Sequence, residues 1–231
     1  RGKKLTRKVE VFTGAYASGK SETSINRALQ YVSRGKNITL VDLDTVEPAY
    51  CMRPIIGELE SRGIKVIAQS DYFGLGEAGS YVTGEQINCL KSTSDDIIID
   101  VGYGATGLDT LDILNGISEE ENLKIYLVVN TSKFETRDKE SILEYIEFSS
   151  GLNKTPWKKF SGFISNTHLS HETTVNDIIR GYELLKTVSS ETKIPIAAIG
   201  ADEKFKYDFK SGFYDNVEIW FYERLMPHAL W

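Results

Sequence analysis

Polar and apolar positions along this chain follow two periods. Short runs rich in β-branched residues, some apolar at consecutive positions as in DIIID and IYLVV, are separated by longer stretches whose apolar residues recur three or four apart. A strand alternates apolar with polar only where one face is wet, so uninterrupted apolar runs indicate strands covered on both faces. Seven strands are predicted: Val9–Thr13, Ile38–Val41, Lys65–Gln69, Asp96–Val101, Lys124–Asn130, Phe160–Ser165 and Ile194–Ile199. Between them Ile25, Ala28, Leu29 and Val32 follow helical spacing, as do Leu108, Leu111 and Leu114, and then Ile178, Tyr182 and Leu185. Strands alternating with amphipathic helices predict an α/β fold, a three-layer α/β/α domain whose sheet of about seven strands is predominantly parallel.

No repeat, low-complexity tract or Pro/Ser-rich linker interrupts this alternation through the first 200 of the 231 residues. A single domain over residues 1–231 is therefore expected, with a core at about 8–200. Residues 201–231 end in VEIWFYERLMPHALW, which carries more large apolar side chains than a wholly solvated tail tolerates. They are read as a packed C-terminal extension.

Composition narrows the function classes. With 27 Lys and Arg against 33 Asp and Glu, the net charge of −6 lacks the basic field of a non-specific nucleic-acid or anionic-membrane binder. The basic start, RGKKLTRK, is read as a solvated lead-in to the first strand. Cys51 and Cys89 form no C-x-x-C pair, which argues against a disulfide framework or a zinc or iron–sulfur site and for a reducing, cytoplasmic setting. No apolar run approaches the roughly 18 residues that span a bilayer, and no signal-type segment opens the chain.

The stretch GAYASGKS, residues 14–21, lies between the first predicted strand and the first helix and fits G-x-x-x-x-G-K-S/T at every fixed position. Phosphates held away from water need several N–H donors at once, and the glycines let successive backbone N–H groups face inward around them. The expected nucleotide-binding residues are Gly14, Ala15, Tyr16, Ala17, Ser18, Gly19, Lys20, Ser21 and the adjoining Glu22. Lys20 would reach the β- and γ-phosphates and the Ser21 hydroxyl would ligate Mg²⁺. A second acidic anchor is needed on a neighbouring strand. DIIIDVGYG delivers Asp100 at a strand end, with Gly104 placed for its backbone N–H to sense the γ-phosphate, and ITLVDLD delivers Asp42 and Asp44 two apart, on one face. Asp42 and Asp100 are the expected metal-side carboxylates.

GAYASGKS, VDLDTVEPAY, IIIDVGYG and a later strand ending in Asn166 together resemble the MinD/ParA-type proteins of the signal-recognition-particle-like P-loop class. VDLDTVEPAY and SNTHLSHETT are similar to the CobQ/CobB/MinD/ParA-domain group in particular. Over residues 8–200 the resemblance implies a water-orienting switch aspartate at Asp44, a metal-side aspartate at Asp100 and a base-contacting asparagine at Asn166. It departs from that group at Ala15, where MinD/ParA ATPases carry a second lysine that crosses a dimer interface. A homodimer is admitted but not required, and lysine-driven hydrolysis across it is in doubt.

Guanine-specific relatives read the base with N-K-x-D. Aligned on Asn166 this chain has Asn-Thr-His-Leu, and Leu169 cannot supply the carboxylate, so ATP is expected over GTP. His168 and His171, three apart, are read as loop or capping residues, and Cys51 as a small buried side chain. The expected activity is that of a Mg²⁺-dependent ATPase acting as a conformational switch on a protein client, with Lys20 and Asp44 as its catalytic residues. An ATP-dependent phosphotransferase or ligase and a non-hydrolysing nucleotide sensor are the alternatives.

Overall fold

The computed structural model describes residues 7–45, 52–69, 82–150 and 156–226. Its strands are β1 (Val9–Gly14), β2 (Ile38–Leu43), β3 (Lys65–Ile67), β4 (Asp96–Val101), β5 (Leu123–Val129), β6 (Phe160–Ser165), β7 (Ile196–Asp202), β8 (Phe213–Tyr214) and β9 (Val217–Tyr222). The helices are α1 (Lys20–Ser33), α2 (Ile56–Ser61), α3 (Gly84–Ile87), α4 (Cys89–Ser92), α5 (Gly104–Asp109), α6 (Lys139–Ser149) and α7 (Val175–Thr192).

One sheet of nine strands runs in the order β3-β2-β4-β1-β5-β6-β7-β9-β8, parallel throughout except for the terminal β8–β9 hairpin. Period-two geometry divides its side chains. Phe12, Leu40, Ile98, Val128 and Ile164 face α1 and α2, whose Ile25, Ala28 and Leu59 cover them. Val9, Val11, Val41, Ile97 and Ile99 face the other way, onto Leu108 and Leu111, while Leu127, Val129 and Phe163 meet Ile142 of α6 and Leu185 and Val188 of α7. The three layers are those the alternation predicts, and every residue of β1 and β2 is buried.

The expected count of seven strands is corrected to nine. The two extra strands lie in the C-terminal extension, which does not simply pack on the sheet but enlarges it: β9 adds parallel to β7, pairing Gly200 with Trp220 and Asp202 with Tyr222. Asp215 and Asn216, both at positive φ (49° and 64°), form the two-residue turn between β8 and β9. The extension is tied to the core by charge as well. Glu10, buried in β1, accepts from Arg27 at 2.9 Å and from the Tyr31 hydroxyl at 2.6 Å, and the Arg27 guanidinium lies 4.2 Å from the Trp220 ring centroid. A carboxylate facing the interior of a layer is tolerable only with such partners, and here they clamp α1 between β1 and β9.

Candidate functional site

The loop after β1 turns into α1 at Gly19, whose φ of 85° lies in the left-handed region where a side chain is strained. A Cβ at Gly19 would also collide with the Asn166 amide, and one at Gly14 with the Ser18 hydroxyl and the Val128 carbonyl. Close approach thus fixes both glycines, and backbone angle fixes Gly19 as well. Helices α6 and α7 are closed by side chains, Asp138 onto the Ser141 N–H and Thr174 onto the Asp177 N–H, but no side chain caps α1. Its first N–H groups and its dipole are left to face the loop, the arrangement that holds an anion.

Carboxylates gather beside it. Asp42 and Asp100 sit on one rung of the sheet, their Cα atoms paired between β2 and β4. Lys20 Nζ pairs with Asp44 Oδ2 at 3.0 Å, both side chains almost wholly buried. The Ser24 hydroxyl lies 3.3 Å from Asp100 Oδ1, the Ser21 hydroxyl stands beside the same carboxyl, and Asp100 Oδ2 is buried with no hydrogen-bond partner among the described residues. Desolvation pushes the Asp100 pKa well up, Lys20 pulls it down, and Asp44 and Asp42 raise it further. Asp42 is raised to about 6, first by burial, against the pull of Arg53, whose Nε lies 3.4 Å from Asp42 Oδ2. A divalent cation held there would offset this penalty, and oxygen donors suit a hard cation, although among the described residues no group of three or more His, Cys, Asp or Glu forms a complete metal site. The structure thus brings Lys20, Ser21, Asp42, Asp44 and Asp100 close to one another.

From the loop, a narrow cleft of about 80 Å³ runs to the carboxyl ends of β6 and β7. That is well below the roughly 300–1,000 Å³ of small-molecule sites, so a nucleotide would have to widen it. Asn166, Thr167 and His168 form one wall, and Gly200, Ala201 and Asp202 another. Asn166 is buried, and its amide donates to the Ser18 carbonyl at 2.8 Å, so it braces the phosphate loop while lining the cleft. Glu22 also lines the cleft, but its carboxylate turns to the C-terminal segment, accepting the N–H groups of Leu225 at 2.6 Å and Met226 at 3.3 Å.

The other side of the loop is aromatic. Tyr16, Tyr103, Tyr145 and Phe148 border an open depression, and the Tyr145 hydroxyl accepts the Gly104 N–H at 3.0 Å. Burial pushes the Tyr145 pKa up, while the Gly104 N–H, Ser149 and Lys20 act the other way.

Sequence reading missed Tyr145, Arg53 and the cleft-facing C-terminal residues. For Tyr145 a signal existed, since Asp138 and Ser141 around an apolar-periodic run mark a capped helix. Arg53 follows a stretch with no periodicity to place it. Cys51 lies outside the described residues. His171 lies in a turn between β6 and α7, whereas His168 lies against the loop with its Nε2 buried and unpartnered among the described residues.

Burial, with Lys133 and Arg224 adding repulsion, lowers the His168 pKa from its usual value to about 4. The unfolded chain therefore binds the proton more tightly between about pH 6.5 and 4, and stability is lost as pH falls through that window. His168→Gln is expected to flatten the acid limb of a stability-against-pH curve from thermal unfolding by about 1–2 kcal/mol; an unchanged slope would remove His168 from the account.

Among the described residues no helix is long and apolar enough to cross a membrane. No family model and no curated protein matches the chain. Solved structures do. The signal recognition particle receptor FtsY from Elizabethkingia anophelis is 18% identical with a TM-score of 0.60, over 89% of this chain and 62% of that one. FlhF complexed with GTP and Mg²⁺ gives 16% and 0.52 over 84% and 66%. The signal recognition particle 54 kDa protein from Aeropyrum pernix, in complex with GDP, gives 20% and 0.55 over 85% and 42%. The chain thus shares the mostly parallel α/β P-loop fold of these structures and spans only about three fifths of the length of the FtsY structure. These neighbours do not single out the MinD/ParA or CobQ group.

Proposed function

We propose that this chain is a Mg²⁺-dependent nucleoside triphosphatase that works as a conformational switch on a protein client. The observation that carries the reading is the buried Lys20–Asp44 pair at 3.0 Å, set against an uncapped helix start. Lys20 cannot hold Asp44 and a triphosphate at full strength together. Phosphates that take Lys20 release Asp44, which then becomes available to orient water. Mg²⁺ would lie between Ser21 and the Asp42 and Asp100 carboxylates and neutralise charge developing on the phosphates. Ala15 brings no second lysine, so a cation for the transition state comes from elsewhere in the chain or from a partner.

Two observations bear on the base, and they oppose one another. Leu169, half exposed, offers no carboxylate to guanine and favours ATP. The FlhF and 54 kDa neighbours were solved with GTP and GDP, and Asp202 does place a carboxylate on the cleft wall, which favours GTP. Competition between ATP and GTP for the site decides it.

Phosphate release tests the reading. Asp44→Asn is expected to abolish release while nucleotide still binds; release that survives in this variant would take the water-orienting role from Asp44. Turnover appearing only with added metabolites would favour a phosphotransferase or ligase.

Tyr145 supplies a second test. Its hydroxyl holds the N–H that is proposed to read the γ-phosphate, so Tyr145→Phe frees that donor. The preference for triphosphate over diphosphate is expected to rise about fivefold, the worth of one hydrogen bond of about 1 kcal/mol. Measured affinities whose ratio stays at the wild-type value would show that Tyr145 does not restrain the switch.

A further inference from the structure

The C-terminal segment after β9 does more than cover the core. From Tyr222 the chain runs across the first turns of α1, held there mainly by two side chains one helical turn apart. Asn26 forms a reciprocal pair with Glu223, its amide donating to the Glu223 carbonyl and its Oδ1 accepting the Glu223 N–H, both at 2.9 Å. Further on, Glu22 accepts the N–H groups of Leu225 and Met226. The Arg62 guanidinium fixes the Glu223 carboxylate at 2.7 Å.

An extended strap held this way sends alternate side chains to opposite sides. Leu225 goes wholly into the core on the α1 face; Tyr222 and Met226 touch that core and also line the cleft, and Arg224 lines the cleft without joining the core. They complete its wall opposite Asn166 and His168, next to Gly200 and Asp202. The anchoring residue Glu22 directly follows Ser21, so the strap starts from the phosphate site itself. His168 lines the same cleft, its buried Nε2 close to the loop and without a well-formed hydrogen bond among the described residues, although the ring also meets the Ser18 backbone.

We propose that the strap is a structural wall of the nucleotide site and that Arg224 is a ligand-contacting residue supplied in cis, its planar guanidinium lying against the base and ribose rather than the phosphates. Arginine suits that task, because the guanidinium stacks on an aromatic ring and is weakly hydrated where a lysine ammonium is neither planar nor easily dried. Because the strap is tied to α1 beside Ser21, filling the cleft orders residues 223–226, and ordering them tightens the cleft. This rests on the nucleotide-binding reading above.

The test uses the whole 231-residue chain. Arg224→Ala is expected to weaken triphosphate and diphosphate alike by about tenfold, the loss of one stacked cation contact of roughly 1–2 kcal/mol. Arg224→Lys, which keeps the charge but not the plane, is expected to recover little. Hydrogen exchange at the Leu225 and Met226 amides of the wild type is expected to slow on adding diphosphate, a readout that needs no variant to fold. A loss that grows with the number of phosphates would overturn the assignment to the base and ribose. Unchanged affinity in a folded Arg224→Ala, or strap amides indifferent to nucleotide, would overturn the strap's role. Failure of the wild type to bind any nucleotide would instead sink the reading beneath it.

Discussion

Lys20→Ala is expected to do two kinds of damage that are easily confused. It removes the cation reaching the β- and γ-phosphates, which should weaken triphosphate binding by about a hundredfold or more, since charge-assisted contacts to phosphate are worth roughly 1.5–3 kcal/mol each. It also deletes the partner that Asp44 meets at 3.0 Å in a site where both side chains are almost fully buried. Breaking a buried pair from one side costs about 3–5 kcal/mol. The unliganded variant should therefore melt well below wild type, and lost activity would not by itself prove a binding role. The double variant Lys20→Met with Asp44→Asn separates the two: thermal unfolding should recover most of the stability, while titration shows that triphosphate binding does not return. Recovery of both would mean that Lys20 is structural.

Asp100→Asn should act in opposite senses on stability and function. Burial beside Asp44 and Asp42 raises the pKa of Asp100, so its charged form is the one the unliganded fold disfavours. A raised carboxyl stabilises the folded state most below the ordinary carboxylate range, and that contribution is lost as pH rises through the raised pKa. Asparagine keeps the shape and can still accept from Ser24 while removing the charge. The unliganded variant is expected to gain about 1–3 kcal/mol over wild type at alkaline pH and progressively less toward pH 4. Triphosphate binding in Mg²⁺ should fall by about a hundredfold, since two of the oxygens that fit the cation become one neutral amide. Equal melting temperatures at every pH would show that Asp100 carries no strain for a metal to relieve.

The parts of this fold legible in the sequence were those whose cause is local. Strands buried on both faces write themselves as DIIID and IYLVV, and the phosphate loop is a contiguous motif whose glycines answer to close approaches by Asn166, Ser18 and Val128. Asp42, Asp44 and Asp100 could be placed because they end apolar strands. The C-terminal hairpin was legible in principle, since Asp215-Asn216 between two aromatic runs is a turn signal, but VEIWFY lacks the clean alternation that marks a strand. What the sequence could not show is pairing at a distance. Glu22 looked like one more residue of the phosphate loop, and only the fold reveals that its carboxylate anchors a segment about 200 positions away. Tyr145 meets Gly104 across 41 positions, and no local rule connects them.

The central claim is that the Lys20–Asp44 pair opens to accept a triphosphate held with Mg²⁺. Calorimetric titration of the whole chain with ATP and with GTP, each with and without Mg²⁺, tests it most directly, with the Lys20→Met and Asp44→Asn double variant alongside. The account predicts saturable binding of at least one triphosphate, strengthened by Mg²⁺ and absent from the folded double variant. Wild-type protein that binds neither triphosphate at millimolar concentration, or a double variant that binds as wild type does, would contradict it.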